Sequence, residues 1–542
     1  MTERTRPVLV VGAGAGGLSA STLLAHHGIP SLLVDRRREV FVYPKARNLT
    51  FRSLEILRGV GLGPAVNASA DHISNVVSKH TLSEAEVRPV WGADFFPSAE
   101  AVSPEPFGKY CPQSKLEPIL LGESRRLGCD VRYGVELVSL RQDNAGVVAT
   151  IKSLDNGTSQ VVHANYLIAA DGTHSHIRRE LGIATSGFGQ LPIFVVFIYF
   201  RAPWRQFVPG LGDGDGIQID NAGVSGILLA AQDDLAVFAH TYFPSRGETV
   251  DRFTPAWCRE LILKAVGVPI DIEIVDIAPW QPYEQVADQF RCGRVFLVGD
   301  SAHTMPPFKG GGANTAIHGA HNLAWKLAAV LNGTAGPELL DSYQAERRPV
   351  GLFAARQSLT GPGASLLELA GDRPTLPAGQ ERPFFYMIAG YKYRSRAVVT
   401  NEPAPIDADQ VQLVDGEQLH GEPGTRLPHA WLQHNGERVS TLDLHGGGLR
   451  LFTGVSGAPW VSAAASVSAS LGVPIDVYRI GLVGLEGAIE DLDGRWAQLT
   501  GLSPDAALLV RPDDFVGWRA ATLPRSPADE LRKVIRQIFA RD

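Results

Sequence analysis

The chain has 542 residues, of which 44% are hydrophobic and 20% charged, with a net charge of −7 at pH 7. That length is too great for one ordinary core and predicts two or three domains. The acidic balance, with no basic aromatic-interleaved patch, argues against nucleic acid as a partner, and apolar runs of strand length that break into glycines predict a cytoplasmic protein without membrane spans.

The first element read along the chain is a complete βαβ pattern from Pro7 to Arg36. Val8 to Val11 form a buried strand, and an apolar helix pattern and a second strand ending at Asp35 follow. Between strand and helix lies Gly12-x-Gly14-x-x-Gly17. Gly12 permits the tight turn, Gly14 lets a pyrophosphate approach the backbone, and Gly17 lets the helix pack on the strand. The helix N-terminus offers unpaired N–H groups to the phosphate. Asp35 follows the last glycine by roughly the twenty residues at which a carboxylate meets a ribose hydroxyl. The pattern predicts a dinucleotide site and does not by itself separate FAD from NAD.

A basic turn, Arg36-Arg37-Arg38-Glu39, leads to Pro44-Lys45-Ala46-Arg47 and a helix over 53–60 stopped by Gly61. On residue type alone Arg47 reads as a surface arginine, although a guanidinium there could clamp a pyrophosphate. Residues 64–110 read as irregular. A helix over 112–128 carries Gln113 near its start, and strands over 130–133, 147–151 and 161–170 follow. The last ends in Asp171-Gly172 before Ser175, Arg178 and Arg179, where open α/β sheets bind ligands. From 191 to 276 the pattern is β-rich with one helix over 254–266, a layer inserted into the first domain and suited to wall a substrate cavity. A second glycine-rich strand-to-helix joint then appears: a strand from Val295, Gly299-Asp300-Ser301-Ala302-His303, Pro306-Pro307, Gly310-Gly311-Gly312-Ala313-Asn314 and a helix reaching Leu331. Another helix spans 339–355.

Residues 401–415 read as an acidic linker. Beyond it, strands over 440–444, 449–453, 475–480 and 507–510, a helix over 458–471 and a last amphipathic helix predict a separate small α/β domain. The expected division is therefore 1–190 and 286–400 for the nucleotide-binding domain, 191–285 for the inserted layer, 401–423 for the linker and 424–542 for the C-terminal domain. Cys111, Cys129, Cys258 and Cys292 show neither CxxC nor metal-ligand spacing and read as free thiols, with no metal site.

Three motifs in order, Gly12-x-Gly14-x-x-Gly17, Ala170-Asp171-Gly172-x-x-Ser175-x-x-Arg178, and Gly299-Asp300 running into Pro306-Pro307 and Gly310 to Asn314, resemble those of the class A FAD-dependent aromatic hydroxylases. The length and the Tyr391-Lys392-Tyr393-Arg394-Ser395 stretch look most like actinomycete hydroxylases of aromatic polyketides. The resemblance implies a Rossmann-like α/β FAD-binding domain with an inserted β-sheet substrate layer and a C-terminal thioredoxin-like domain. The latter has no CxxC, so a structural or dimer-contact role is expected of it. Asp35 would hold the adenosine ribose, with Arg36 beside it. Arg47, through its match to the family's arginine segment, and Gln113 would contact FAD. Asp171 would serve FAD and NADPH, Asp300 the ribityl side, and Pro307 and Gly312, Ala313 and Asn314 the isoalloxazine. Lys309 and His318 depart from the residues usual near the flavin.

The resemblance also implies the chemistry. NADPH, a transient co-substrate, reduces FAD, dioxygen is captured as a flavin hydroperoxide, and one oxygen atom passes to an electron-rich ring. A polycyclic aromatic polyketide is the expected substrate; a smaller alkylated phenol or hydroxypyridine, or Baeyer–Villiger insertion, is the alternative. A flavin halogenase would need Trp-x-Trp-x-Ile-Pro, which is absent, and a nucleotide-binding scaffold is the non-enzymatic alternative. No catalytic base is assigned. His240 and Tyr242 on the β-rich layer are the weak candidates, with Tyr199 behind them, and His303 reads as a structural residue in a turn. A homodimer is compatible with all of this.

Overall fold

The computed structural model describes residues 5–40, 47–73, 75–91, 98–231, 233–361, 381–403, 407–416, 419–481 and 488–541. Pro44, Lys45 and Ala46 lie outside them. Strand β1 (Arg6–Val11) turns through glycine into α1 (Ala15–His26), and β2 (Leu32–Asp35) returns beside it. Val8, Leu9 and Val10 have no exposed surface, as befits a central parallel strand covered on both faces. Next come α2 (Phe51–Gly59), β3 (Val76–Lys79), β4 (Arg88–Trp91), α3 (Gln113–Arg126), β5 (Asp130–Tyr133) and β6 (Ser159–Ala169).

The inserted layer follows. It comprises β7 (Phe194–Arg201), β8 (Gly216–Asn221), β9 (Val224–Ala230), β10 (Leu235–Tyr242), helix α4 (Pro255–Val266) and β11 (Glu273–Trp280). Its sheet runs β11–β7–β10–β9–β8–β3–β4. The two outer strands thus come from residues 76–91, outside the 191–285 span read from the sequence and inside the stretch read as irregular. The β8–β3 pair is parallel and the others antiparallel.

Strand β12 (Val295–Leu297) then completes the first sheet, whose parallel core runs β12–β6–β1–β2–β5. The long helix α5 (Gly311–Leu331) packs on α1, and α6 (Asp341–Gln357) packs on α5. Because β1, β2, β6 and β12 are parallel, their carboxyl ends share one edge, where the Gly12 turn, Asp35, Asp171 and Asp300 gather.

The C-terminal domain is thioredoxin-like α/β. Strands β13 (Leu449–Thr453), β14 (Ile475–Gly481), β15 (Ala507–Val510) and β16 (Val516–Ala520) run in the order β14–β13–β15–β16. Helices α7 (Ala458–Leu471) and α8 (Pro527–Ile538) pack on each other, and α8 buries Leu531, Val534, Ile535 and Ile538, one helical stripe. Residues 440–444, read as a strand, instead form a 3-10 turn over Thr441–Asp443. Ser440 caps it, accepting from the Leu442 N–H at 3.0 Å. Within the stretch read as a linker, Gln412–Leu413 pairs with Tyr391–Lys392. Among the described residues no helix is long and apolar enough to cross a membrane.

Candidate active site

The glycine turn has the backbone the motif requires. Gly12 has φ +105°, and a Cβ there would overlap the Ala170 carbonyl; one on Gly17 would overlap the Gly12 carbonyl oxygen. A Cβ on Gly14 would meet only Gln113 Nε2 and Glu117 Oε1, each at 3.9 Å. Gly14 is therefore open toward the ligand side while the other two pack against protein. No side chain caps the N-terminus of α1, so its N–H groups and positive dipole end face that opening.

Asp35 is 7% exposed. Its Oδ2 accepts from the Ala13 N–H at 2.6 Å and its Oδ1 from the Arg37 N–H at 2.7 Å. The Arg37 guanidinium pairs with the same carboxylate at 3.1 Å. Arg36, expected as a contact, is exposed at the end of β2, and Arg37 is the residue paired with Asp35. Two further residues there were not foreseen. Glu117, fully buried on α3, accepts from Gln113 Nε2 and lies 3.8 Å from Arg37. Its signal was its i+4 spacing from Gln113 on one helix face. Tyr133, paired with Asp35 across the sheet, has a buried hydroxyl with no hydrogen-bond partner among the described residues, and burial followed by Glu117 pushes its pKa up to about 12.

At the Asp-Gly motif, Asp171 accepts from Ser175 Oγ at 2.6 Å and from the Ile177 N–H at 3.1 Å, at the start of the short helix His176–Glu180 that Ser175 caps by accepting from the Arg178 N–H at 3.0 Å. Arg178 donates to the Thr173 and Ser301 carbonyls at 2.9 and 2.8 Å. This arginine binds the second motif to the third. Asp300 is exposed at the sheet edge, its Oδ2 3.4 Å from Thr173 Oγ1.

Helix α5 starts after Gly310, whose φ is +60°, again with no side-chain cap. Pro307 is exposed, Gly312 and Ala313 are half-buried, and Asn314 is buried. Asn314, expected with Gly312 and Ala313 to line the isoalloxazine, has its side-chain amide bonded to protein partners. Its Oδ1 accepts from the Thr50 N–H at 2.9 Å and Ser53 Oγ at 2.6 Å, and its Nδ2 donates to the Asn48 and Gly310 carbonyls, both at 3.0 Å. It fastens the first turn of α5 to α2. Lys309 donates to Thr360 Oγ1 at 2.9 Å and pairs with Glu381 at 2.8 Å. His318 is buried with Nε2 3.2 Å from Ser53 Oγ, and burial, then Arg347, holds its pKa well below the usual value. Burial likewise takes His303 to about 3, so it is a neutral packing residue.

The weak base candidates lie on the α4 face of the inserted sheet. Phe238 and Tyr242 of β10 pack with Cys258, Leu261 and Ile262 of α4. His240 shares their parity along the strand; its ring contacts Phe253 and Trp257, and its Nδ1 donates to the Ser225 carbonyl at 2.8 Å. The opposite parity faces the nucleotide-binding domain. Phe197 and Trp280 stack there, with centroids 5.7 Å apart and planes at 24°. They join Ala239 and Phe308 around Leu191, Ile193, Val195 and Leu359. Phe308 sits in the turn immediately before α5, so this apolar wall adjoins the third motif. Tyr199 has the parity of Phe197 and is 3% exposed. Arg47 bridges the layers: it donates to the Gly214 carbonyl, just ahead of β8, and lies 5.6 Å from the centre of the Tyr110 ring.

Two uncapped helix N-termini, a glycine opening, a buried acid, an exposed acid and an unpartnered hydroxyl along one sheet edge suit an extended, phosphate-containing dinucleotide, and FAD fits them. The comparisons agree. Residues 5–358 match the family model described as FAD binding domain, and residues 420–541 match that described as aromatic-ring hydroxylase, C-terminal. The chain is 37% identical, over 100% of its length and 98% of the relative's, to a tetracenomycin A2 monooxygenase-dioxygenase of Streptomyces glaucescens. It is 36% identical, over 99% and 98%, to a 4-methyl-5-nitrocatechol 5-monooxygenase of a Burkholderia species. Among solved structures, aklavinone-11 hydroxylase with FAD and aklavinone superposes with a TM-score of 0.89 at 33% identity, over 100% of both chains.

Proposed function

Since the chain belongs to the FAD-dependent aromatic-ring hydroxylases and is a flavoprotein monooxygenase, we propose that it adds one oxygen atom from dioxygen to a ring of a polycyclic aromatic polyketide, with NADPH as electron donor. The observation that carries the substrate class is the Phe197–Trp280 stack, continued by Ala239 and Phe308. A flat aromatic wall next to the start of α5 favours a flat fused-ring ligand, since offset stacking adds about 0.5–1.5 kcal/mol to the burial of each ring pair.

FAD, when bound and reduced by NADPH, supplies the activated oxygen. The chain's residues bind, orient and exclude water. The turn at Gly12 to Gly17 and the α1 N-terminus take the pyrophosphate. Asp35, relieved of part of its pairing with Arg37, takes ribose hydroxyls, and Glu117, Gln113 and Tyr133 line the same corner. Asp300 takes the ribityl side, and the amides of Gly312 and Ala313 offer dipoles to the flavin ring. The apolar wall keeps water from the reacting oxygen. No side-chain base is needed where the ring to be attacked carries its own ionisable phenol.

The test is to purify the protein, record its visible spectrum and follow NADPH oxidation with a panel of polycyclic polyketides and of small alkylated or nitrated phenols. The expected outcome is a flavin spectrum, oxidation stimulated by the polycyclic class, and a product heavier by one oxygen atom. Stimulation by the small phenols alone overturns the substrate class, and bound flavin with no response to any aromatic overturns the hydroxylation.

A further inference from the structure

The C-terminal domain meets the flavin-binding domain through buried ions. Asp514 accepts from Arg52 Nη1 at 2.9 Å and, on its other oxygen, from Arg450 Nη2 at 2.6 Å. Arg52 also donates to Glu55 at 3.1 Å and to the Asp513 carbonyl at 2.8 Å. Arg52 is 2%, Glu55 4% and Asp514 3% exposed. Charges this deep are costly unless fully paired, and apolar residues of equal volume would often serve stability as well. What such a network adds is a fixed geometry.

The geometry it fixes is that of the cofactor helix. Within little more than one turn of chain, Thr50 and Ser53 hold Asn314 at the start of α5. Arg52 and Glu55, between and beside them, are held by the C-terminal domain through Asp514 and Arg426. Helix α2 is thus gripped by the C-terminal domain while it grips the N-terminal turn of α5. We propose that Arg52 and Asp514 are positioning residues for FAD: the C-terminal domain sets, through α2, where the first amides of α5 stand. Neither residue touches the cofactor. Helix-terminal dipoles act only when held in register with their ligand, so a small displacement of that turn weakens flavin binding and the alignment of oxygen with substrate.

The test uses the holoenzyme, with flavin release read by FAD fluorescence, the peroxide-to-product ratio measured at saturating FAD, and thermal unfolding measured alongside. Asp514→Asn removes one charge isosterically. Arg52→Met combined with Asp514→Leu removes the pair, leaving Glu55 with Arg426 and Arg450 with the Leu444 and Arg511 carbonyls. Leu531→Ala, in the α8 core, is the reference for plain destabilisation. The expected result is an FAD dissociation constant raised tenfold or more, with a higher peroxide-to-product ratio, in the folded Asp514 variants, and an unchanged constant in Leu531→Ala. Arg52→Lys, which keeps the charge, should recover part of the loss. If the paired apolar variant folds and binds FAD with the native constant, or if Leu531→Ala loses flavin equally, the proposal is overturned and the domain is a stabiliser only. Should Asp514→Asn fail to fold, the paired variant alone decides.

Discussion

The Ser53 hydroxyl donates to Oδ1 of Asn314 at 2.6 Å, across 261 residues of sequence. This bond joins α2, which follows the first βαβ unit, to α5, the helix opened by the third motif, and it explains why an asparagine ends the glycine run. Asn314→Ala deletes both acceptor and donor contacts and leaves the Asn48 and Gly310 carbonyls without that partner. With about 1–3 kcal/mol lost for a buried group deprived of its bond, FAD affinity should fall by about tenfold or more and the melting temperature should drop. Ser53→Ala should cost less, since Thr50 still donates to the same oxygen. Flavin fluorescence titration and calorimetry check both, and native FAD affinity in Asn314→Ala would contradict the fastening role.

The three glycines of the first motif should separate into two phenotypes. Gly17→Ala drives a methyl group into the Gly12 carbonyl, and Gly12→Ala adds strain at φ +105° to an overlap with Ala170. Both should lower the melting temperature sharply whether or not FAD is present. Gly14→Ala meets protein only at ordinary contact distance. It should fold with nearly native stability as apoprotein and bind FAD at least tenfold more weakly. Comparing apo and FAD-saturated unfolding curves makes the distinction, and a strongly destabilised Gly14→Ala apoprotein would refute it.

On the inserted sheet, the two faces predict opposite outcomes. His240→Gln and Tyr242→Phe alter the α4 side and should leave kcat/KM within about twofold of native. Trp280→Ala removes half of the stacked wall and should lower kcat/KM for the stimulating ligand by about tenfold or more, at the usual worth of a buried aromatic contact. Steady-state NADPH oxidation under each variant decides. A large loss in His240→Gln would place a reacting group on the face assigned here to packing.

Much of this architecture was legible in the chain. Val8 to Val11 and Asp130 to Tyr133 declare themselves by continuous apolar or bounded strand-length runs, and the glycine spacing locates both helix N-termini. The face of β10 was not legible, because Ala236, Val237 and Phe238 are all buried and give no alternation. Strands β3 and β4 hid behind Pro89 and polar residues that an outer sheet position tolerates. The role of Arg52 was invisible because its carboxylate partner stands 462 residues away, and no local pattern encodes such a pair.

Buried histidines give the pH dependence a definite sign. His303, His321 and His429 are held at about 3, burial being the main cause, and His318 lies well below its usual value. Each titrates near 6.5 when unfolded. Between those values the unfolded chain binds more protons, so stability is complete above about pH 6.5 and falls as the pH drops below it, by about 1.4 kcal/mol per pH unit for each group. Asp514 and Glu346, depressed because Arg450 and Arg511 outweigh their burial, add their own loss only below about pH 4.5, where the unfolded carboxyls begin to protonate. His72 opposes the trend: Asp71 and Asp215 raise its pKa, so its contribution is present in acid and lost as the pH rises. The interval from pH 6 to 5 therefore isolates the histidines, and with His27, which burial holds at about 4, unfolding there should take up about four to five protons, as follows from their unfolded pKa. Calorimetric unfolding across that interval, with His321→Gln reducing the uptake by about one proton, measures it. Melting temperatures that stay flat from pH 6.5 to 5 would mean that these imidazoles are protonated in the folded protein.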